Sequence, residues 1–233
     1  MSWPNRREPD GPGTRSWFRR FVDAAAAFTI IFLLSSSGSC LSALPQPRAL
    51  DAPPLFLPDA DGGGWTSVAG SFDVHIQAGL IRVRDSRIAL EIQYLGASPL
   101  AAAEPEGAAV TPVSIFSGRD PVHWRRNLQG RPSVRVRGLY GGIDLVIRVQ
   151  GGRLKTDYIV APGADPGRIR MRYSGASSVR VEPDGGLAVG VPGGQWWEAA
   201  PVAWQTSTES VQARFQVDEE GTVGFAVEIG RAS

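Results

Sequence analysis

Cysteine occurs once in the 233 residues, at Cys40, and histidine twice, at His75 and His123. One cysteine excludes a disulfide framework within the chain, and so few soft ligands exclude a zinc site built from several Cys and His. Charge of one sign is also missing: 24 Lys and Arg stand against 23 Asp and Glu, a formal net charge of +1. There is thus no global field that would collect nucleic acid, and lysine itself appears only at Lys155. No apolar run reaches the ~20 residues of a membrane-spanning helix. The 28 Gly and 18 Pro stay below the level at which disorder becomes the default, and 42% hydrophobic content is enough to build a core.

The longest apolar run is Ala24 to Leu34, preceded by Arg15, Arg19 and Arg20 and followed by Ser35-Ser36-Ser37-Gly38-Ser39. A charged region, a short apolar region and a small-residue region in that order read as a secretory signal over residues 1–39. Ser37-Gly38-Ser39-Cys40 is close to the box at which a cysteine is lipidated, although Ser37 stands where an aliphatic residue is usual. Cys40 is therefore the candidate lipidation site, with an ordinary cut after Ser39 or Ala43, or an uncleaved anchor stretched from Ala24 to Ala43, as the alternatives. The expected location is extracytoplasmic, with the membrane touched only through the signal or a lipid.

Residues 40–64 are rich in Pro and Gly without a period of 3.6 or 2.0 and read as a linker. Asp59-Ala60-Asp61-Gly62 lacks the later oxygen ligands of a calcium loop. From Trp65 the alternation is regular: Phe72, Val74 and Ile76, then Ile81 and Val83, then Ile88, Leu90, Ile92 and Tyr94 define a hairpin region over 65–96. The Ala- and Pro-rich residues 97–111 read as a loop. A main β domain follows over 112–230, with alternating segments around Val134, Ile143 to Val149, Thr156 to Val160, Val179, Leu187, Val211 to Val217 and Val223 to Ile229. Many short strands and no amphipathic helical pattern predict an all-β fold. The expected form is an antiparallel β-sandwich or open barrel, in one piece or as two packed β subdomains.

Chemistry-bearing residues are sparse. Neither His75 nor His123 sits in a nucleophile motif, so a Ser-His-Asp site is not expected. Asp120, Asp144, Asp157 and Asp165 could in principle supply the carboxylate pair of a glycan hydrolase. Adjacent strand residues face opposite ways, so one of Trp196 and Trp197 should be in the core and the other outside; with Trp204 they are the candidate ligand contacts, on a sugar or on a partner protein. No cofactor, catalytic residue or metal ligand is indicated.

From about Pro112 to Ile229 the chain carries a set of specific motifs. They are Gly118-Arg119-Asp120-Pro121 with Trp124-Arg125, Leu139-Tyr140-Gly141-Gly142-Ile143-Asp144, Asp157-Tyr158-Ile159-Val160-Ala161-Pro162-Gly163-Ala164-Asp165-Pro166, Asp184-Gly185-Gly186-Leu187, and Pro201-Val202-Ala203-Trp204-Gln205. In these it resembles a domain of uncharacterised function found near the N-terminus of large secreted bacterial proteins, ahead of SBBP-type β-propeller repeats or immunoglobulin-like and PKD-type modules. It departs from that pattern at Arg119, where Asn is usual, and at Gly141, where Pro is usual. The resemblance implies a secreted, all-β accessory module and carries no catalytic residues.

Asp120, Tyr140, Gly142, Asp144, Asp157, Pro162, Gly163, Asp165 and Pro166 read as turn chemistry: glycines at positive φ, prolines that stiffen loops, and carboxylates that accept backbone N–H groups. The expected function is a non-enzymatic extracytoplasmic β module for surface assembly or adhesion, with a cell-surface protein or polysaccharide as partner. The alternatives are a carbohydrate-binding module using an exposed Trp and a carboxylate-based glycan hydrolase.

Overall fold

The computed structural model describes residues 28–35, 55–68, 72–110, 112–205 and 209–228, with 28–35 and 209 given as backbone path. The rest of residues 1–39, read as a signal, together with Cys40 and most of the segment read as a linker, lies outside the described residues. Among these residues the regular secondary structure is β-strand apart from two short 3-10 turns, η1 (Pro121–His123) and η2 (Pro166–Arg168), and no helix is long and apolar enough to cross a membrane.

Sheet I has ten strands. Its main order is β14 (Ser178–Val181), β15 (Leu187–Val191), β16 (Gly194–Glu198), β1 (Phe28–Ser35), β12 (Arg153–Val160), β11 (Ile143–Gln150), β10 (Ser133–Tyr140) and β7 (Ala102–Glu106). β17 (Val202–Gln205) also pairs with β1, and β18 (Glu209–Val211) extends it. Sheet II has eight: β19 (Ala213–Val217), β20 (Val223–Val227), β13 (Met171–Ser174), β6 (Ala89–Tyr94), β5 (Leu80–Arg84), β4 (Asp73–Gln77), β3 (Trp65–Val68) and β2 (Leu55–Pro58). A two-stranded ribbon of β8 (Val113–Ile115) and β9 (Arg125–Leu128) stands apart. The strand pairings are antiparallel throughout.

The alternation seen in the sequence is the inward-facing set of each sheet. Val74, Ile76, Ile81, Val83, Leu90 and Ile92 come from sheet II and Val136, Leu145, Ile147, Tyr158, Val189 and Trp196 from sheet I, and all join one buried cluster. The two sheets therefore close over a common core, the arrangement of a sandwich.

Three segments are strands where the sequence reads otherwise. Leu55–Pro58, within the stretch read as linker, is β2; Leu55, Phe56 and Leu57 are all buried, because Phe56 exchanges two backbone hydrogen bonds of 2.8 and 3.0 Å with Arg131 on its free edge. Ala102–Glu106, within the Ala- and Pro-rich loop, is β7 on the edge of sheet I, where Pro105 is tolerated. Phe28–Ser35, within the stretch read as a signal, is β1, placed between β12 on one side and β17 and β16 on the other.

Candidate functional site

β16 divides its tryptophans as strand geometry requires. Trp196 points inward, 1% exposed, its ring edge-on to Phe72 of the opposite sheet at 6.2 Å and 82°. Its indole N–H donates to Glu198 Oε1 at 3.3 Å, and the Tyr173 hydroxyl donates to the same oxygen at 2.6 Å. Burial pushes the Glu198 carboxyl up to about 7, against the opposing pull of these two donors. Beside it the Tyr158 hydroxyl donates to Tyr94 at 2.9 Å and lies 3.2 Å from Met171 Sδ. Burial raises all three phenols, so they serve as neutral hydrogen-bonding groups between the sheets.

Trp197 and Trp204 are half-buried on the outer face of sheet I. Trp197 stands opposite position 35 of β1 and Trp204 opposite position 29, so both share one face of that strand. Six residues of strand separate these positions, roughly 20 Å. Between them lies Val202, 44% exposed and opposite position 31. The three form an apolar stripe with two indole platforms.

A cleft of about 430 Å³ opens on sheet II between Asp73, His75, Arg82, Arg84, Glu91 and Ser174. Here Asp59, in the turn after β2, organises a chain of contacts. Its Oδ1 accepts from Thr66 Oγ1 at 2.6 Å, and its Oδ2 lies 2.7 Å from His75 Nε2. The other ring nitrogen of His75 faces Arg82 Nη1 at 3.5 Å, and Arg82 Nε donates to Glu91 at 2.8 Å. Hydrogen bonds from Gln93 and Arg82 hold the Glu91 carboxyl below the usual range. A carboxylate–imidazole pair of this kind activates a nucleophile only when the second nitrogen reaches a hydroxyl or thiol. Here it meets a guanidinium, which makes the group an ionic network across β4, β5 and β6. Sequence reading treats Asp59 and His75 separately; the alternation that sets His75 opposite Arg82 in the β4–β5 pair is the signal that joins them. Among the described residues no three His, Cys, Asp or Glu gather as a metal site.

The turn residues fall into two groups. Asp120 and Asp165 cap η1 and η2, accepting from Val122 N at 3.0 Å and Gly167 N at 2.8 Å, with Pro166 buried at the start of η2. Gly142 and Gly163 take φ of +75° and +78° in turns, and Pro162 precedes the second of them. The others are strand residues. Tyr140 ends β10 and donates to Leu95 O and Arg170 O at 3.1 and 3.2 Å. Asp144 lies in β11, where Oδ2 takes two donors of Arg135 and Oδ1 accepts Gly138 N at 2.6 Å. Asp157 is not in a turn: it sits in the middle of β12, 5% exposed, paired with Arg148 of β11 and with Oδ1 unpartnered. The motif that begins with it continues through a whole strand end before the corner starts, so the corner's carboxylate is Asp165. Burial raises the Asp157 carboxyl in spite of Arg148 and Lys155.

Residues 73–232 match the family model of a domain of unknown function, DUF7948. No curated protein and no solved structure is significantly similar. The matched span runs from β4 through β20, taking in most of both sheets and the cleft but not β1, β2 or β3, and on that span the chain belongs to the DUF7948 family.

Proposed function

We propose that this chain is a non-enzymatic extracytoplasmic β module that supports assembly or adhesion at the cell envelope, of the kind that stands ahead of SBBP-type repeats. The observation that carries this reading is the internal use of the carboxylates. Asp120 and Asp165 hold backbone N–H groups, Asp144 holds Arg135 and a backbone N–H, and Asp157 holds Arg148 inside a strand. Glycan hydrolysis needs two carboxyl groups facing one another across a groove, one protonated and one free to attack or to activate water. Carboxylates tied down in separate turns and ion pairs serve folding instead.

A second reading, carbohydrate binding, is favoured by Trp197 and Trp204 sharing the outer face of sheet I with Val202. A glycan array on the purified chain and its Trp197→Ala and Trp204→Ala variants decides between them. The assembly reading expects no glycan signal above background, and a signal lost in either variant assigns the face to sugar. Hydrolysis that survives repurification and disappears on replacing one Asp would overturn both. Export is checked by the N-terminal mass of the chain recovered from the envelope or medium: a start near Cys40 or Leu44 is expected, and a diacylglycerol on Cys40 would make it a lipoprotein. A cytosolic chain with Met1 or Ser2 intact would refute the location.

A further inference from the structure

The strand that joins the parts of sheet I is the strand the sequence marks for removal. Positions 28–33 of β1 pair with Val160 back to Lys155 of β12. The other edge of β1 pairs with β17 at positions 28–31 and with β16 at positions 34 and 35. In the sheet order β12 reaches β16 and β17 only through β1. A chain cut after Ser39 or Ala43 no longer contains these residues.

The physical consequence is a gap one strand wide, its flanking strands roughly 10 Å apart. Its two sides are the backbone N–H and C=O groups of β12 and β17, which need partners. Its inner side is apolar at positions 28 and 30, where the buried Tyr158, Val160 and Ala203 stand opposite, and turns polar towards Thr156 and Glu198, which stand opposite positions 32 and 34. An extended peptide supplies both requirements at once, main-chain hydrogen bonds for the edges and alternate apolar side chains for the apolar part of the inner side. A processed second copy has lost the same residues, so it does not carry this segment to donate.

We propose that the place of β1 is a strand-acceptor slot, which after removal of the export signal takes an extended segment of a partner polypeptide. That segment runs antiparallel to β12 over about six residues and is apolar at the positions corresponding to 28 and 30. The partner's part in this rests on the export reading above; the slot does not.

The test begins with the full chain, carrying a protease recognition sequence inserted between residues 41 and 50 and cleaved after purification, so that the N-terminal fragment starts in place. A labelled synthetic peptide of Phe28 to Ser35 is added in excess and exchange is followed by native mass spectrometry. The nicked protein should retain its fragment and release it to the labelled peptide, while a peptide with Ile30→Asp should compete at least about tenfold more weakly. The slot is refuted if the fragment leaves at once and the remaining body keeps its melting temperature without taking peptide, or if the Asp peptide competes equally. Stripped bodies that pair with each other and exclude the peptide would give the slot to a second copy and overturn the partner. Exchange is measured with the N-terminus present, so it does not depend on export. An exported chain that keeps Met1 would leave the slot standing and remove the partner from it.

Discussion

Sheet II is assembled largely from neighbours. β2 to β6 follow one another as a meander, and the β4–β5–β6 hairpins turn at Gly79 and at Asp85, whose Oδ1 accepts Arg87 N and Ile88 N, both at 2.6 Å. Sheet I mixes local hairpins, β10–β11–β12 and β14–β15–β16, that meet only through a strand from far upstream. Their polar groups differ in the same sense. Sheet II carries its charges outside, in the Asp59, His75, Arg82 and Glu91 network, whereas Glu198 and Asp157 of sheet I are buried carboxyls raised by desolvation. A sheet made of local pairs can leave its ions in water, and one made of distant parts holds ionisable groups where its pieces join.

The sharpest way to break that contrast is at the inter-sheet anchor. Trp196→Ala leaves a large void beneath Phe72 and removes a donor from Glu198, and should cost about 3–5 kcal/mol, lowering the melting temperature by roughly 10 °C. A loss of only a degree or two would mean that the sheets do not depend on this contact.

The buried carboxyl gives the next largest effect. An acid whose folded-state pKa lies above its unfolded value binds its proton more tightly in the native state. Glu198 therefore stabilises the fold most below its ordinary value of 4.5, and the contribution is lost as the pH rises through about 7. Urea unfolding from pH 4.5 to 8 should show stability falling by an amount on the order of a few kcal/mol beyond the other groups. Glu198→Gln keeps an oxygen for Tyr173 and Trp196 and should flatten that fall, raising the melting temperature at pH 8. An unchanged pH profile in this variant would show the carboxyl to be ionised and solvated.

Asp157→Val sharpens the comparison from the other side. The carboxyl has one unpartnered oxygen and a raised pKa, and its strand partner across the pair is Val146. Removing one member of a buried ion pair is costly chiefly because it strands the other charge without water, and Arg148 is part-exposed and keeps solvent, so little of that cost applies here. Thermal melts should place the variant within about 1 kcal/mol of the parent; a loss of several would make the Arg148 pair a true anchor of sheet I.

The smallest effect belongs to sheet II. His75→Ala removes a part-exposed contact with Asp59 and should cost under about 1 kcal/mol, less still in high salt. A larger or salt-independent loss would mean that the network is structural in the way Glu198 is.

The two sheets also differed in how far the sequence revealed them. Val74, Ile76, Ile81 and Val83 alternate with polar residues because sheet II is wet on one side, and such strands are legible. Leu55-Phe56-Leu57 is not, because a strand covered on both faces and along its edge shows an unbroken apolar run. Ala102 to Glu106 has weak strand propensity and is held by pairing with β10 and by the Trp65 indole, which donates to Ala103 O at 3.1 Å, tertiary effects that local pattern does not carry. Phe28 to Ser35 is ambiguous in principle, since an apolar run of this length serves equally as a signal's core or as a doubly flanked strand. At the candidate sites, alternation separates Trp196 from Trp197, while Glu198 and the pairing of Asp59 with His75 required knowing which strands lie side by side.

The outer margins of the sheets bear on how the molecule behaves in a crowded compartment. β7 presents Pro105, which lacks an N–H, and its Glu104 and Glu106 are clasped by Arg137 and Arg135; the margin of β2 ends in Pro58 and is capped by the Arg131 backbone. Proline and fixed charge along a margin discourage the sideways stacking that seeds fibrils. The margins of β7 and β2 are therefore poor templates for a further strand, in contrast to the bare β12 and β17 edges that loss of β1 would leave.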